Sequence, residues 1–79
     1  MKIPRDISGI SLAKKLEKFG YSISRQTGSH IRLTTLQSGE HRLTIPHHDP
    51  LKIGTLSSVL NAVSEHFDMT KEDIINNIF

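Results

Sequence analysis

The run Tyr21-Ser22-Ile23-Ser24-Arg25-Gln26-Thr27-Gly28-Ser29-His30-Ile31-Arg32-Leu33-Thr34-Thr35-Leu36, continued after Gln37-Ser38-Gly39-Glu40 by His41-Arg42-Leu43-Thr44-Ile45-Pro46, decides the fold. Short clusters of turn-forming residues divide it into Tyr21 to Gln26, His30 to Leu36 and His41 to Pro46, which predicts an antiparallel meander. Alternation along the strands then tests the register. A two-residue turn at Gly28 and Ser29 would set Ile23 opposite Thr34 and mix apolar with polar side chains on each face. A three-residue loop, Thr27 to Ser29, avoids this by pairing Ile23 with Leu33 and Arg25 with Ile31 on one face, and Gln26 with His30 and Ser24 with Arg32 on the other. Extended to the third strand, the logic pairs Leu33 with Leu43 and Ile31 with Ile45, and leaves Thr34 beside Arg42 and His30 beside Pro46. One face is then apolar, while the other carries Ser22, Ser24, His30, Arg32, Thr34, Arg42 and Thr44.

Helical patterns flank this sheet. From about Ser8 to Phe19, Ile10, Ala13 and Leu16 recur at three- and four-residue spacing, with Ser8 as N-cap and Gly20 as a left-handed stop. After a proline-bearing crossing, His47 to Ile53, a second helix is predicted near Gly54 or Thr55 with the stripe Leu56, Val59, Leu60, Val63 and Phe67. A last short helix starts at Thr70, whose spacing to Asp73 resembles a capping box, with Ile74, Ile75 and Ile78 inside. The expected fold is α+β, α-β-β-β-α with a short C-terminal helix, the helices on one face of a three-stranded antiparallel sheet. Those layers are double-stranded-RNA-binding-domain-like, although layers alone imply no function. Tyr21 and the three phenylalanines are expected to face the core.

At 79 residues the chain is read as one domain, 1–79, with a thin core. The apolar fraction of 35% still suffices for collapse into a globule. Cysteine is absent, which removes disulfides, thiolate metal sites and a cysteine nucleophile. Met1 to Asp6 lead into no apolar stretch, so no secretory signal and no membrane partner are expected, and a cytoplasmic location is. Net charge is only +2, but residues 1 to 30 hold six Lys or Arg against two acids, whereas residues 53 to 79 hold one against four. Lys14, Lys15 and Lys18 would project from one helix as a phosphate-attracting patch or as an ordinary solvated face.

Cleaving RNA without a metal requires a base for the 2′-hydroxyl proton, an acid for the departing oxygen and cations for the phosphorane. Histidine suits proton transfer because its unperturbed pKa lies near neutrality, and such transfer contributes about 10² to 10⁴ in rate. His30 is the candidate. Arg32, two residues on, points the same way and can hold a phosphate, and Arg42 belongs to the same surface. With Pro46 expected opposite His30, either His47 or His48 is a possible second proton-transfer group. A zinc site at His47, His48 and Asp49 is disfavoured because adjacent residues on an extended chain point apart, so no metal and no cofactor are expected. His41 and His66 read as structural or exposed.

Gly28-Ser29-His30, then Ile45-Pro46-His47-His48, then Leu51-Lys52-Ile53-Gly54-Thr55-Leu56-Ser57-Ser58-Val59-Leu60 resemble, in order and spacing, the HicA family, and Ser8-Gly9 before a basic helix ending in Phe19-Gly20-Tyr21 fits as well. The resemblance implies a toxin of a toxin–antitoxin pair, metal-independent endonucleolytic cleavage of mRNA, and a HicB-like antitoxin that occludes the site. It places the family's essential histidine at His30 and puts His48 at its proline-x-histidine position. Ser29, Arg32, Arg42, Lys14, Lys15 and Lys18 are the expected RNA-binding residues. The second-helix start offers only Lys52 as a nearby cation, which favours single-stranded or loop RNA over duplex clamping. Alternatives from other classes are a non-catalytic RNA-binding module and a protein-interaction domain using the same sheet face.

Overall fold

The computed structural model describes residues 6–79. Met1 to Arg5, on which the reading of the N-terminus and the charges of Lys2 and Arg5 rest, lie outside the described residues. Ser8 caps the first helix, α1 (Gly9–Lys15), by accepting from the Ser11 amide. The helix then tightens into a 3₁₀ turn, Leu16–Phe19, where regular α-helix was expected to continue. Gly20 ends it in the left-handed region at φ 80°, where its amide reaches back to the Glu17 carbonyl.

Three strands follow, β1 (Ser22–Gln26), β2 (His30–Thr35) and β3 (His41–Pro46), in the order β1-β2-β3. Residues 47–52 lead to α2 (Ile53–Phe67), and Thr70 caps α3 (Lys71–Ile78) by accepting from the Asp73 amide. The α+β order and the short C-terminal helix are as the sequence predicts.

Ile31, Leu33, Leu43 and Ile45 are buried on one face of β2 and β3, under Leu12, Ala13 and Leu16 of the first helical segment and Leu56, Val59, Leu60 and Val63 of α2. Each such Leu, Ile or Val side chain contributes about 1.5–3 kcal/mol on burial, so the covered face of the hairpin is the stabilising centre of this small domain. A Cβ on Gly9 would collide with the Pro46 carbonyl oxygen, so glycine lets the start of α1 sit directly on the end of β3. Contacts from α1 reach β2 and β3, and those of α2 reach β3, so β1 overhangs the helical layer. Ile23, expected in the core, therefore remains 41% exposed. Phe79 is likewise 40% exposed, while Phe19 and Phe67 pack against the core with ring centroids 5.1 Å apart.

Between β2 and β3 the register agrees with expectation at Leu33–Leu43, Ile31–Ile45, Thr34–Arg42 and His30–Pro46. Between β1 and β2 it agrees only at Ile23–Leu33. Arg25 lies opposite Arg32 and Gln26 opposite Ile31, with a β-bulge between Ile23 and Arg25. The rejected two-residue turn is the one used: the Thr27 amide donates to the His30 carbonyl at 2.9 Å, and the His30 amide donates to the Thr27 hydroxyl at 3.1 Å. The extra residue that sequence alternation assigns to the loop is absorbed at Ser24 within the strand. A bulge sets two residues against one and restores the apolar alignment beyond it.

Candidate functional site

The helix-free face is built from alternate residues of the meander. His30 opens β2, exposed, and its Nδ1 lies 2.9 Å from Ser29 Oγ. When Nδ1–H donates to that hydroxyl, Nε2 keeps a free lone pair, the state required of a base. Thr27 fixes the turn beneath the ring through its hydroxyl, which also accepts from the Ser29 amide at 3.4 Å.

Beside His30 is a depression of about 370 Å³ lined by Arg25, Thr27, His30, Arg32 and Thr44. A second, of about 440 Å³, continues along the sheet over Ser24, Arg25, Arg32, Thr34, Arg42 and Thr44. Among the described residues no carboxylate lines either one. Arg42 is held by Glu40 at 3.2 Å, both side chains well exposed, an ion pair worth little in stability and readily exchanged for another anion. The shared wall of hydroxyls and guanidinium groups suits a phosphodiester backbone lying across the strands.

Of the residues singled out from the sequence, His30, Arg32 and Arg42 share this surface, with Ser29 at its edge. His47 and His48 follow β3 on the exposed loop and line neither depression. The His47 amide donates to the Ser29 carbonyl at 2.9 Å, tying the loop to the turn that carries His30. Lys14, Lys15 and Lys18 line neither depression. Lys18 donates to the Asn77 carbonyl at 2.8 Å and Lys15 Nζ stands 5.2 Å from the Phe79 ring centroid, so two of the three are engaged with the C-terminal segment. Sequence reasoning missed Arg25, placed by alternation beside Ile31 on the covered face. The only sequence signal for its true position was Thr27 ahead of Gly28-Ser29, a hydroxyl able to close a two-residue turn.

His41 and His66 form a separate cluster at the far end of the β2–β3 ladder. Their rings stack at 4.4 Å and 12°, and His66 Nε2 donates to the Gln37 carbonyl at 2.9 Å. The buried Tyr21 hydroxyl is 2.7 Å from His41 Nδ1. Burial pushes the Tyr21 hydroxyl up to about 12 from 10.0. Burial, aided by the neighbouring His66, holds the His41 pKa below its ordinary 6.5. A neutral tyrosine donating to a neutral imidazole satisfies both groups, as the structural reading of His41 requires.

A two-layer α+β domain with one face buried under helices and the other bearing a histidine among arginines belongs to the class of small domains that present a bare sheet to a partner or substrate. The family model described as "HicA toxin of bacterial toxin-antitoxin" matches residues 11–63, about two thirds of the chain, and the chain belongs to that family: it is a toxin of a toxin–antitoxin system. The match spans most of α1, the whole sheet with His30, and most of α2. No curated protein and no solved structure matches the chain. Among the described residues no helix is long and apolar enough to cross a membrane.

Proposed function

We propose that the protein is a metal-independent endoribonuclease acting on mRNA, with His30 as the proton-transfer residue. The observation that carries this reading is the exposed imidazole of His30 bordering one depression with Arg32 and, among the described residues, no carboxylate. A single strand or loop lies across the open face. His30 Nε2 takes the proton of a ribose 2′-hydroxyl, the 2′-oxygen bonds to the adjacent phosphorus, and the bond from phosphorus to the 5′-oxygen breaks, leaving a 2′,3′-cyclic phosphate. The departing oxygen must gain a proton, and His48 or His47, tethered beside the turn, are the side-chain candidates to deliver it. Arg32 and Arg42 hold phosphate oxygens where negative charge accumulates. Ser29 orients the His30 ring. Lys14, Lys15 and Lys18 act at longer range, attracting RNA without touching the reacting phosphate.

The partner implied is a HicB-like antitoxin, which silences the toxin by covering the same face. The test is His30→Ala, assayed on mRNA in excess chelator. The wild type cleaves under these conditions, whereas the variant loses about 10²–10⁴ in rate while remaining folded, because the substitution opens no core cavity. Undiminished cleavage by the variant overturns the assignment of His30, and a wild type that cuts only after a divalent ion is restored overturns the metal-free mechanism.

A further inference from the structure

Arg25 and Arg32 are direct cross-strand partners, and both line the same two depressions on the open face. Like charges in such positions destabilise a sheet. Among the described residues no carboxylate lines either depression, and the one ion pair, Glu40 with Arg42, engages a third arginine and neither member of this pair. Two features of the chain combine to create the pairing. The Thr27-closed turn shifts the register by one residue, which brings Arg25 opposite Arg32, and the bulge at Ser24 absorbs that shift so that Ile23 still meets Leu33. The Ser24 hydroxyl bonds within the sheet, to the Arg32 carbonyl at 3.4 Å and the Thr34 hydroxyl at 3.3 Å, and pins the bulge. A costly like-charge pair, held by a defined backbone irregularity beside an exposed histidine, has the chemistry of an anion site.

We propose that Arg25 is a phosphate-binding residue, gripping with Arg32 the phosphodiester next to His30 from two strands at once. This rests on the ribonuclease reading and adds to it a residue and a geometry. Each guanidinium presents a planar fork, so two of them on adjacent strands can engage both non-bridging oxygens of one phosphate or the oxygens of successive phosphates.

The test measures binding of a mixed-sequence 2′-O-methyl RNA octamer, which cannot be cleaved because its 2′-oxygen is blocked, over a salt series. Cleavage of the unmodified RNA is followed in parallel. Arg25→Gln is expected to weaken binding about tenfold near 0.1 M salt and to reduce the slope of log affinity against log salt by about 0.7, the value for one phosphate contact on a single strand. Arg25→Lys restores the slope but not the full affinity, because the charge returns without the fork. Lys71→Gln, on α3, changes neither. Thermal stability of Arg25→Gln equals or exceeds that of the wild type, since repulsion from Arg32 is relieved, which separates a binding role from a structural one. An Arg25→Gln protein with wild-type slope and affinity, beside an Arg32→Gln protein that has lost both, refutes the role of Arg25 and leaves the ribonuclease reading standing. A wild type that neither binds the octamer nor cuts RNA ends both.

Discussion

His30 and His41 begin neighbouring strands and stand at opposite ends of the same ladder, yet their surroundings differ in kind. His41 is half-buried against Tyr21 and stacked on His66, its Nδ1 occupied and its charged form disfavoured. His30 is exposed, its ring bonded among the described residues only to the adjacent serine, and bordered by cations. A residue that completes the interior of a fold is satisfied by the fold itself, whereas one with polar capacity left over, beside charges that no described carboxylate neutralises, is positioned for something outside it.

That contrast between a closed and an open region can be broken by experiment. The largest effect on stability belongs to the covered side of β2: Leu33→Ala, at a fully buried position, should cost about 2–5 kcal/mol in urea unfolding. Arg32→Gln, one residue away on the open side, should cost less than about 0.5 kcal/mol. Equal losses from the two would mean that the open face is structural after all. Tyr21→Phe comes next, at about 1–3 kcal/mol, because it leaves His41 Nδ1 without its donor in a part-buried position. RNA cleavage by this variant should match the wild type, and a large loss of activity at unchanged stability would show that the two histidine regions are coupled.

The smallest effect is the pH dependence contributed by His41. Its folded pKa lies below the ordinary 6.5, so the unfolded chain binds this proton more readily; the stability it contributes is complete above about pH 6.5 and is lost as pH falls from there toward the lowered folded value. His41→Gln should flatten the urea midpoint between pH 7.5 and 5 relative to the wild type, and identical profiles would contradict the closed description of this cluster. At the alkaline end the sign reverses. Tyr21, raised from 10.0 to about 12, contributes stability that is present below pH 10 and is lost as its hydroxyl is forced to ionise.

The sequence by itself determined the parts whose energies are local. Ser8 and Thr70 as caps, Gly20 as a stop and the stripe from Leu56 to Val63 each depend on neighbours within one turn or one helix face, and all were legible. So was the sharing of one face by His30 and Arg32, which follows from the two-residue period of a strand. Tertiary structure alone decided where the extra residue of the first hairpin goes. A three-residue loop and a two-residue turn with a bulge both set Ile23 against Leu33 and both cover Ile31, so hydrophobic alternation cannot choose between them, yet they send Arg25 to opposite faces. The closing hydroxyl of Thr27 and the bonds of Ser24 make that choice. The exposure of Ile23 and the meeting of Tyr21 with His41 were likewise out of reach of the sequence, because each depends on where the helical layer ends or on contacts between residues about twenty positions apart.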